Sequence, residues 1–342
     1  MHRKISQRFF ITHLMSCVAL TCSGGLTGGE LSYRSNQDGT SVFEHGELVL
    51  TYRASEVSEN AKWPRTNYLH PVNNLSGQTI TEDFPKDHPH HRGIFWAWHQ
   101  LWLGDLQLGD AWACQDFRWD VHTSHTYPLK SGITIANAVT WKTRRGHDDA
   151  IKPNNQEQDQ QDWIEVVDER NWIQIHTSTE HYRLIDIAIE LIAKRESVRI
   201  GGSDDVKGYG GFSVRMALNG SEIFSSNHRT IEPTVEQLKA DHWMNIHSAT
   251  SGVAMMNHSE NAGLKIEESS WIVRRKHSMQ NAVFPGRQPI ELSTSEPLRL
   301  RYRLVIHDGT LSTEVINGIS RDFDATQPPW ENEVHAKLIQ AR

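Results

Sequence analysis

Hydrophobic and polar residues alternate along much of the chain, which is the pattern of β-strands that bury one face. The clearest case is residues 184–191, where three isoleucines and a leucine share one side. Residues 298–307 alternate in the same way, with a leucine-rich face opposite a face that carries three arginines. The segment Trp172–Thr177 precedes the first of these strands and is a candidate for its hairpin partner. The pattern predicts a protein built from antiparallel strands.

Strands of this kind recur from Gly46 onwards, and no repeat or linker divides residues 30–325. Helix is predicted only at Glu232–Ala240 and Leu311–Arg321. We therefore expect an all-β fold, a large two-sheet antiparallel β-sandwich of the supersandwich kind with few short helices. It should form a single domain over residues 30–342.

The first 29 residues differ from the rest and are typical of a secretory signal peptide. Arg3, Lys4 and Arg8 precede a mostly apolar run that is too short to span a bilayer. No later stretch is long and apolar enough to do so. The sequence predicts a secreted or periplasmic protein, and it predicts no lipid anchor because Cys17 and Cys22 fit the lipoprotein pattern poorly.

Composition narrows the classes of function. The 342 residues are 37% hydrophobic, so a sizeable core is available. The formal net charge is −7 and no dense basic patch occurs, which argues against nucleic acid as a partner. Of the three cysteines, only Cys114 lies well beyond the N-terminal segment, so we expect no intramolecular disulfide. The unusual residues are 20 histidines and 12 tryptophans.

Imidazoles are concentrated in residues 83–93, which we call the histidine loop. Pro89 fixes its own φ and biases the preceding residue towards extended backbone. In an extended chain His88 and His90 would share one face and His91 would take the other. Side chains that titrate near neutral pH suit general acid–base catalysis, so these three histidines are candidate catalytic residues.

The pair His88 and His90 also suits a divalent metal ion, and no other cofactor is indicated. A third ligand would have to come from elsewhere: His70, His99, Glu180 or His181. The spacing is a modest indication, because the same imidazoles can bind one another or sugar hydroxyls. Glu180 is in addition a candidate general base, with an imidazole as the acid.

Residues expected to hold a substrate are cationic, aromatic or imidazole side chains from separate parts of the chain. They are His70, Arg92, Trp102, Trp112, Lys207 and Arg215. Arginine offers a rigid fork of donors to a carboxylate or to vicinal hydroxyls. Arg92 can alternatively pair with Asp83 or Asp87 and hold the loop closed. Lys207 and Arg215 belong to a glycine-dense turn with no helix after it, which excludes a P-loop.

Tryptophans are concentrated in the same region. Trp102 and Trp112 lie beside Gly-Asp turns, where an aromatic face can stack on the C–H face of a sugar. Trp96 and Trp98 lie on an alternating apolar strand, and we expect them in the core.

Several segments resemble the PmoA-like family of exported bacterial proteins, also labelled methane oxygenase PmoA. They are Tyr68–Pro71, Asp83–Gly93, Lys207–Arg215, Gly252–His258, Trp271–Arg274 and Arg301–Gly309. The motif Asp87-His-Pro-His-His-Arg-Gly93 is the most specific, and the matches span roughly residues 45–325. The sequence departs from the family at Gly208-Tyr209 and again at 108–112. The resemblance implies a sandwich similar to galactose-mutarotase-like and glycoside-hydrolase-associated domains, in proteins that accompany polysaccharide degradation.

Together these features predict an exported carbohydrate-active protein that binds a sugar or sugar acid in a β-sandwich cleft and uses histidine acid–base chemistry. Its reaction could be that of a lyase, a hydrolase or an epimerase. Two alternatives stay open. One is a non-catalytic carbohydrate-binding sandwich that uses Trp102 and Trp112, and the other is a metal-dependent oxygenase or lyase that uses His88 and His90. The sequence leaves the oligomeric state open.

Overall fold

Antiparallel strands dominate the computed structural model, which describes residues 31–144, 163–262 and 269–331. Within those residues the first sheet, sheet I, contains nine strands. Their spatial order is β1 (Leu31–Asn36), β2 (Gly39–Glu44), β3 (Glu47–Arg53), β6 (Tyr68–Val72), β7 (Ile94–Trp98), β15 (Gly210–Val214), β22 (Gln280–Val283), β21 (Ser269–Ile272) and β18 (Leu238–Ala240).

Sheet II also contains nine strands within the described ranges. Their order is β10 (Phe117–Leu129), β11 (Gly132–Arg144), β12 (Trp163–His176), β13 (Tyr182–Ala193), β24 (Leu298–Asp308), β20 (Ser251–Asn257), β19 (Trp243–His247), β16 (Ile223–Ser226) and β17 (Arg229–Thr230). The described residues also form two smaller sheets. One has four strands, in the order β23 (Ile290–Glu291), β14 (Val198–Gly201), β8 (Gln100–Leu103) and β9 (Leu106–Gln107). The other pairs β4 (Val57–Glu59) with β5 (Lys62–Arg65).

The two large sheets pack face to face through their apolar sides. In β13 the isoleucines predicted to share a face are at most 1% exposed, and β13 pairs with β12 and with β24. Phe212 of sheet I stacks on Tyr302 of sheet II with ring centroids 4.5 Å apart. Trp96 and Trp98 are each 1% exposed. The all-β sandwich, the hairpin of β12 and β13, and the two core tryptophans are confirmed.

A buried carboxylate joins the two sheets. Glu169 of sheet II accepts hydrogen bonds from Trp96 Nε1 at 2.7 Å and Asn67 Nδ2 at 2.8 Å on the sheet I side. Trp141 Nε1 at 2.7 Å and Asn171 Nδ2 at 2.8 Å complete the set from its own sheet. Burial raises the pKa of Glu169, and the four N–H donors oppose that rise.

Helix is scarce in the described residues. Helix α1 (Thr313–Asp324) begins after Ser312, whose hydroxyl accepts from Val315 N at 3.3 Å, and this confirms the predicted C-terminal helix within a few residues. The helix predicted at Glu232–Ala240 is wrong. Only Leu238–Ala240 is regular there, as strand β18, because its backbone groups pair with β21 at the edge of sheet I.

None of the helices in the described ranges is long and apolar enough to cross a membrane. The expected signal peptide at residues 1–29 lies outside the described residues.

Candidate functional site

The histidine loop leads into β7 and folds as two consecutive turns. The backbone N–H of His88 donates to Pro85 O at 3.2 Å, and that of His91 donates to His88 O at 2.9 Å. Pro89 occupies the second position of the latter turn, where its fixed φ is favourable. The prediction of extended backbone with His91 on the opposite face is therefore wrong. The turn stacks His91 on His88, with centroids 4.8 Å apart and planes 4° from parallel.

The loop and one residue from elsewhere form a group of four rings, which we call the imidazole cluster: His88, His90, His91 and His277. The ring of His90 lies 4.5 Å from His91 and 5.8 Å from His88, and His277 lies 5.4 Å from His88. His90 is half-buried, and its ring forms no hydrogen bond with any residue in the described ranges. Its nitrogens are therefore not engaged by protein groups of the described residues, although His90 is not among the residues that line the cavity described below.

Arg92 anchors the loop from inside. It is fully buried, its Nε and one Nη bind the carboxylate of Asp83, and Nη2 also donates to Tyr68 Oη at 2.6 Å. Nη1 donates to the carbonyls of Val57 at 3.1 Å and Trp63 at 3.0 Å. These contacts use all five N–H donors. The expectation that Arg92 binds substrate is therefore corrected, and the alternative pairing with Asp83 is what occurs.

Arg215 directly follows β15 and connects it to the loop. Its guanidinium donates to Glu82 Oε2 and to Asp87 Oδ1, each at 2.7 Å, and Nη1 lies 3.4 Å from His91 Nδ1. Its backbone N–H donates to Gly93 O at 2.8 Å. The side chain is 4% exposed, so Arg215 orients protein groups at the site and presents little surface to a substrate.

Asp87 connects the loop to a residue that the sequence analysis missed. Its Oδ2 lies 2.9 Å from His88 Nδ1 and 2.9 Å from His277 Nδ1. His277 lies between β21 and β22, and its backbone has a positive φ of 56°. It is 190 positions from Asp87, so no local motif indicates the contact, and only the basic run Arg274–Lys276 beside it is suggestive.

Burial controls the charge of the cluster. It lowers the pKa of His90 to about 4, with Arg65 adding to the effect, and it lowers the pKa of His91 further. Although burial opposes it, hydrogen bonds from His88 and Arg215 hold the pKa of Asp87 well below its usual range. The two imidazoles are therefore neutral at neutral pH beside an ionised carboxylate.

A shallow cavity of about 300 Å³ adjoins the cluster. It is lined by Glu82, Lys86, Asp87, Arg215, Met216, Leu218, Arg275, His277 and Ser278. Three cationic side chains face two carboxylates in this lining. Lys86 and Arg275 are exposed, so they are accessible to an anionic ligand.

Trp112 forms the wall behind the cluster. It is 2% exposed, with ring centroids 5.1 Å from Phe95 and 6.0 Å from His91. Its predicted role as a sugar platform is corrected, because its faces are covered by protein. Trp102 is half-buried on β8, where Arg199 lies 5.5 Å from its ring centroid.

Lys207 and Glu180 lie apart from the cluster. Lys207 pairs with Asp205 at 3.3 Å and lines a different cavity of about 590 Å³, to which no histidine contributes. Glu180 is exposed in the turn after β12, next to the Gly132 end of β11. The Thr143 end of β11 contacts the segment that carries Trp112, so Glu180 lies at the far end of these long strands.

His70 lies beside the end of the loop, and its Nδ1 is 2.9 Å from Thr81 Oγ1. Burial lowers its pKa. Gly93 passes so close that a Cβ there would be 2.1 Å from Leu69 O and 2.9 Å from His70 Cβ, and its φ is +52°. Only glycine fits this approach without strain.

Fold and site together define a β-sandwich protein with a histidine-rich loop anchored on one sheet. A family model described as "Family of unknown function (DUF6807)" matches residues 40–321, and the chain belongs to that family. The resemblance to PmoA-like proteins stays a prediction.

A search of the curated proteins finds no match. Among solved structures, the chain is similar to a protein from Salmonella typhimurium described as a candidate mutarotase, YeaD, at 8% identity and a TM-score of 0.33. That match covers 84% of this chain and 97% of the other. Identity and score are too low for the likeness to bear on the chemistry of this chain.

Proposed function

We propose that this protein is an exported carbohydrate-active enzyme that binds a sugar acid beside the imidazole cluster and moves a proton with His90. The observation that carries the proposal is the position of His90. Its ring is half-buried between two other imidazoles, and its nitrogens bind no described protein group. A general base must be held in place and must keep a ring nitrogen free of protein partners, and His90 meets both conditions within the described residues.

The charge of the adjoining cavity supports an acidic substrate. Lys86, Arg215 and Arg275 line it together with Asp87 and His277. The exposed cations Lys86 and Arg275 can pair with a carboxylate, which a neutral sugar does not offer. Arg275 Nη1 already donates to Glu222 O, and Lys86 makes no hydrogen bond with the described residues.

These parts favour removal of the proton next to the carboxylate of a sugar acid. A cation paired with that carboxylate stabilises the negative charge that develops when the adjacent C–H bond is broken. His90 would accept the proton. Return of the proton to either face of that carbon is the reaction of an epimerase. Loss of a leaving group from the neighbouring carbon is the reaction of a lyase. Arg92 and Arg215 would keep the loop fixed during the reaction.

Exchange of that proton with solvent tests the proposal. A panel of uronic and aldonic acids, with the matching neutral sugars, is incubated with the protein in D2O and followed by NMR, with and without divalent metal. We expect deuterium at the carbon next to the carboxylate of at least one acid. His90→Gln should slow this exchange by about 10²–10⁴-fold, the usual contribution of a general base.

The matched control is His125→Gln, which changes an exposed histidine on β10 of the other sheet and should leave exchange unchanged. Full activity in His90→Gln, or no exchange or conversion of any acid in the panel, would overturn the proposal.

A further inference from the structure

We propose that Asp87, His88 and His277 form a binding site for one divalent transition-metal ion. Asp87 Oδ2 lies 2.9 Å from Nδ1 of each imidazole, and the three ligand atoms all lie within 4.8 Å of one another. Ligands that bind one ion at about 2.0–2.2 Å have separations of this size. The pair considered in the sequence analysis was His88 with His90, and here His277 takes the place of His90.

The carboxylate is fixed from behind by a second residue. Arg215 donates to Asp87 Oδ1 at 2.7 Å, and Arg215 is itself held by Glu82. This leaves Oδ2 directed at the two imidazoles. Hydrogen-bonded outer partners of this kind orient ligands in known metal sites. In the alternative arrangement without an ion, each imidazole donates an N–H to the carboxylate, and metal titration distinguishes the two arrangements.

The ligand set indicates the class of ion and leaves coordination positions open. Two imidazoles and one carboxylate suit zinc or iron(II), whereas calcium prefers an all-oxygen set. Three protein ligands leave at least one position for water or substrate, as in catalytic sites. His88 and His277 are each 38% exposed, so an ion can reach the site from solvent.

The site and the cationic cavity share Asp87 and His277. A sugar acid in the cavity could therefore place its carboxylate or a neighbouring hydroxyl on the ion. This part of the inference rests on the proposed function, whereas binding of the ion does not. If the ion and the sugar acid bind together, each changes the affinity of the other by the same factor, and direct contact between them would make that change favourable.

The test is titration of the metal-stripped full-length protein with Zn²⁺ by calorimetry, and with Co²⁺ by visible absorption, which reports the coordination geometry of the ion. We expect one ion per chain and no saturable binding of Ca²⁺. His277→Ala and Asp87→Asn should each weaken binding by more than about 100-fold, beyond the 10–100-fold typical of an outer partner.

His228→Ala is the matched control. His228 is an exposed histidine that also has a positive φ, of 64°, and it lies outside the cluster. Its replacement should leave metal affinity unchanged. Failure of the wild-type protein to hold one Zn²⁺ per chain would overturn the metal site. Wild-type affinity for Zn²⁺ in either His277→Ala or Asp87→Asn would overturn it as well.

Activity measurements keep the two proposals separate. Turnover of a sugar acid by fully metal-free protein would reject the catalytic use of the ion and leave the proposed function standing. A bound ion without turnover of any acid would reject the proposed function and leave the metal-binding site standing.

Discussion

Replacing the buried carboxylate Glu169 by its isosteric amide tests how the two sheets are joined. Glu169→Gln keeps the shape and removes an acceptor. The glutamine orientation that keeps the most hydrogen bonds points its amide oxygen at three donors, from Asn67, Trp96 and Asn171. The amide NH₂ then faces the indole N–H of Trp141, which now lies 2.7 Å from Glu169 Oε2.

Two donors that face each other in the core leave two N–H groups unsatisfied. Each costs about 1–3 kcal/mol when buried. Relief from burying a charge offsets part of this, so we expect a net loss of about 2–4 kcal/mol in the free energy of unfolding.

Urea unfolding followed by circular dichroism at pH 7 measures the loss. The control is Glu165→Gln on the same strand, where the carboxylate is 46% exposed and pairs with Lys194, so a change below about 1 kcal/mol is expected. Equal stability of Glu169→Gln and the wild type would refute the reasoning, because it would mean that Glu169 is carried as the neutral acid.

Three further predictions follow from the same structure. Burial alone would raise the pKa of Asp186, but hydrogen bonds from Arg303 and His176 outweigh it and hold this pKa at about 2. The ionised carboxylate therefore stabilises the folded protein fully at pH values above its unfolded pKa of about 4. This contribution is lost as the pH falls towards 2. Asp186→Asn should cost about 2 kcal/mol in urea unfolding at pH 7, and a cost independent of pH would contradict this. Gly93→Ala should lower the melting temperature more than Gly104→Ala. Gly104 has a similar φ, but a Cβ added there would have no atom within 4 Å. Equal effects would mean that the contact with Leu69 O is unimportant. Expression with residues 1–29 present should give an exported form without them, checked by mass spectrometry of the secreted or periplasmic fraction, and a cytoplasmic full-length product would reject export.

The sequence predicted the sandwich because strand alternation is a property of neighbouring residues. The apolar faces of β13 and β24 follow from period two alone, and the core confirms them. The opposite face of β24 is buried too, with Arg301 5% and Arg303 3% exposed, which the alternation did not indicate. The helix at Glu232–Ala240 failed because those residues carry no long apolar period, and edge pairing decided the outcome.

The candidate site was located by composition, but its arrangement depends on contacts between distant residues. A single turn at Pro89 reversed the expected faces of the histidines. Burial could not be predicted for Arg92 or Trp112, since the groups that cover them come from other strands and loops. His277 was missed for the same reason, because only the folded chain brings β21 and β22 beside the loop.

The backbone contacts of Arg215 separate anchoring from chemistry in the histidine loop. Glu82 N–H donates to Arg215 O, Gly93 N–H donates to Glu82 O, and Arg215 N–H donates to Gly93 O, which clamps the two ends of the loop to the sheet. None of these bonds involves an imidazole. The histidines between these ends can therefore be substituted without breaking the backbone hydrogen bonds that hold the loop. The loop is thus a scaffold on which natural or designed substitutions could place a different set of ligands.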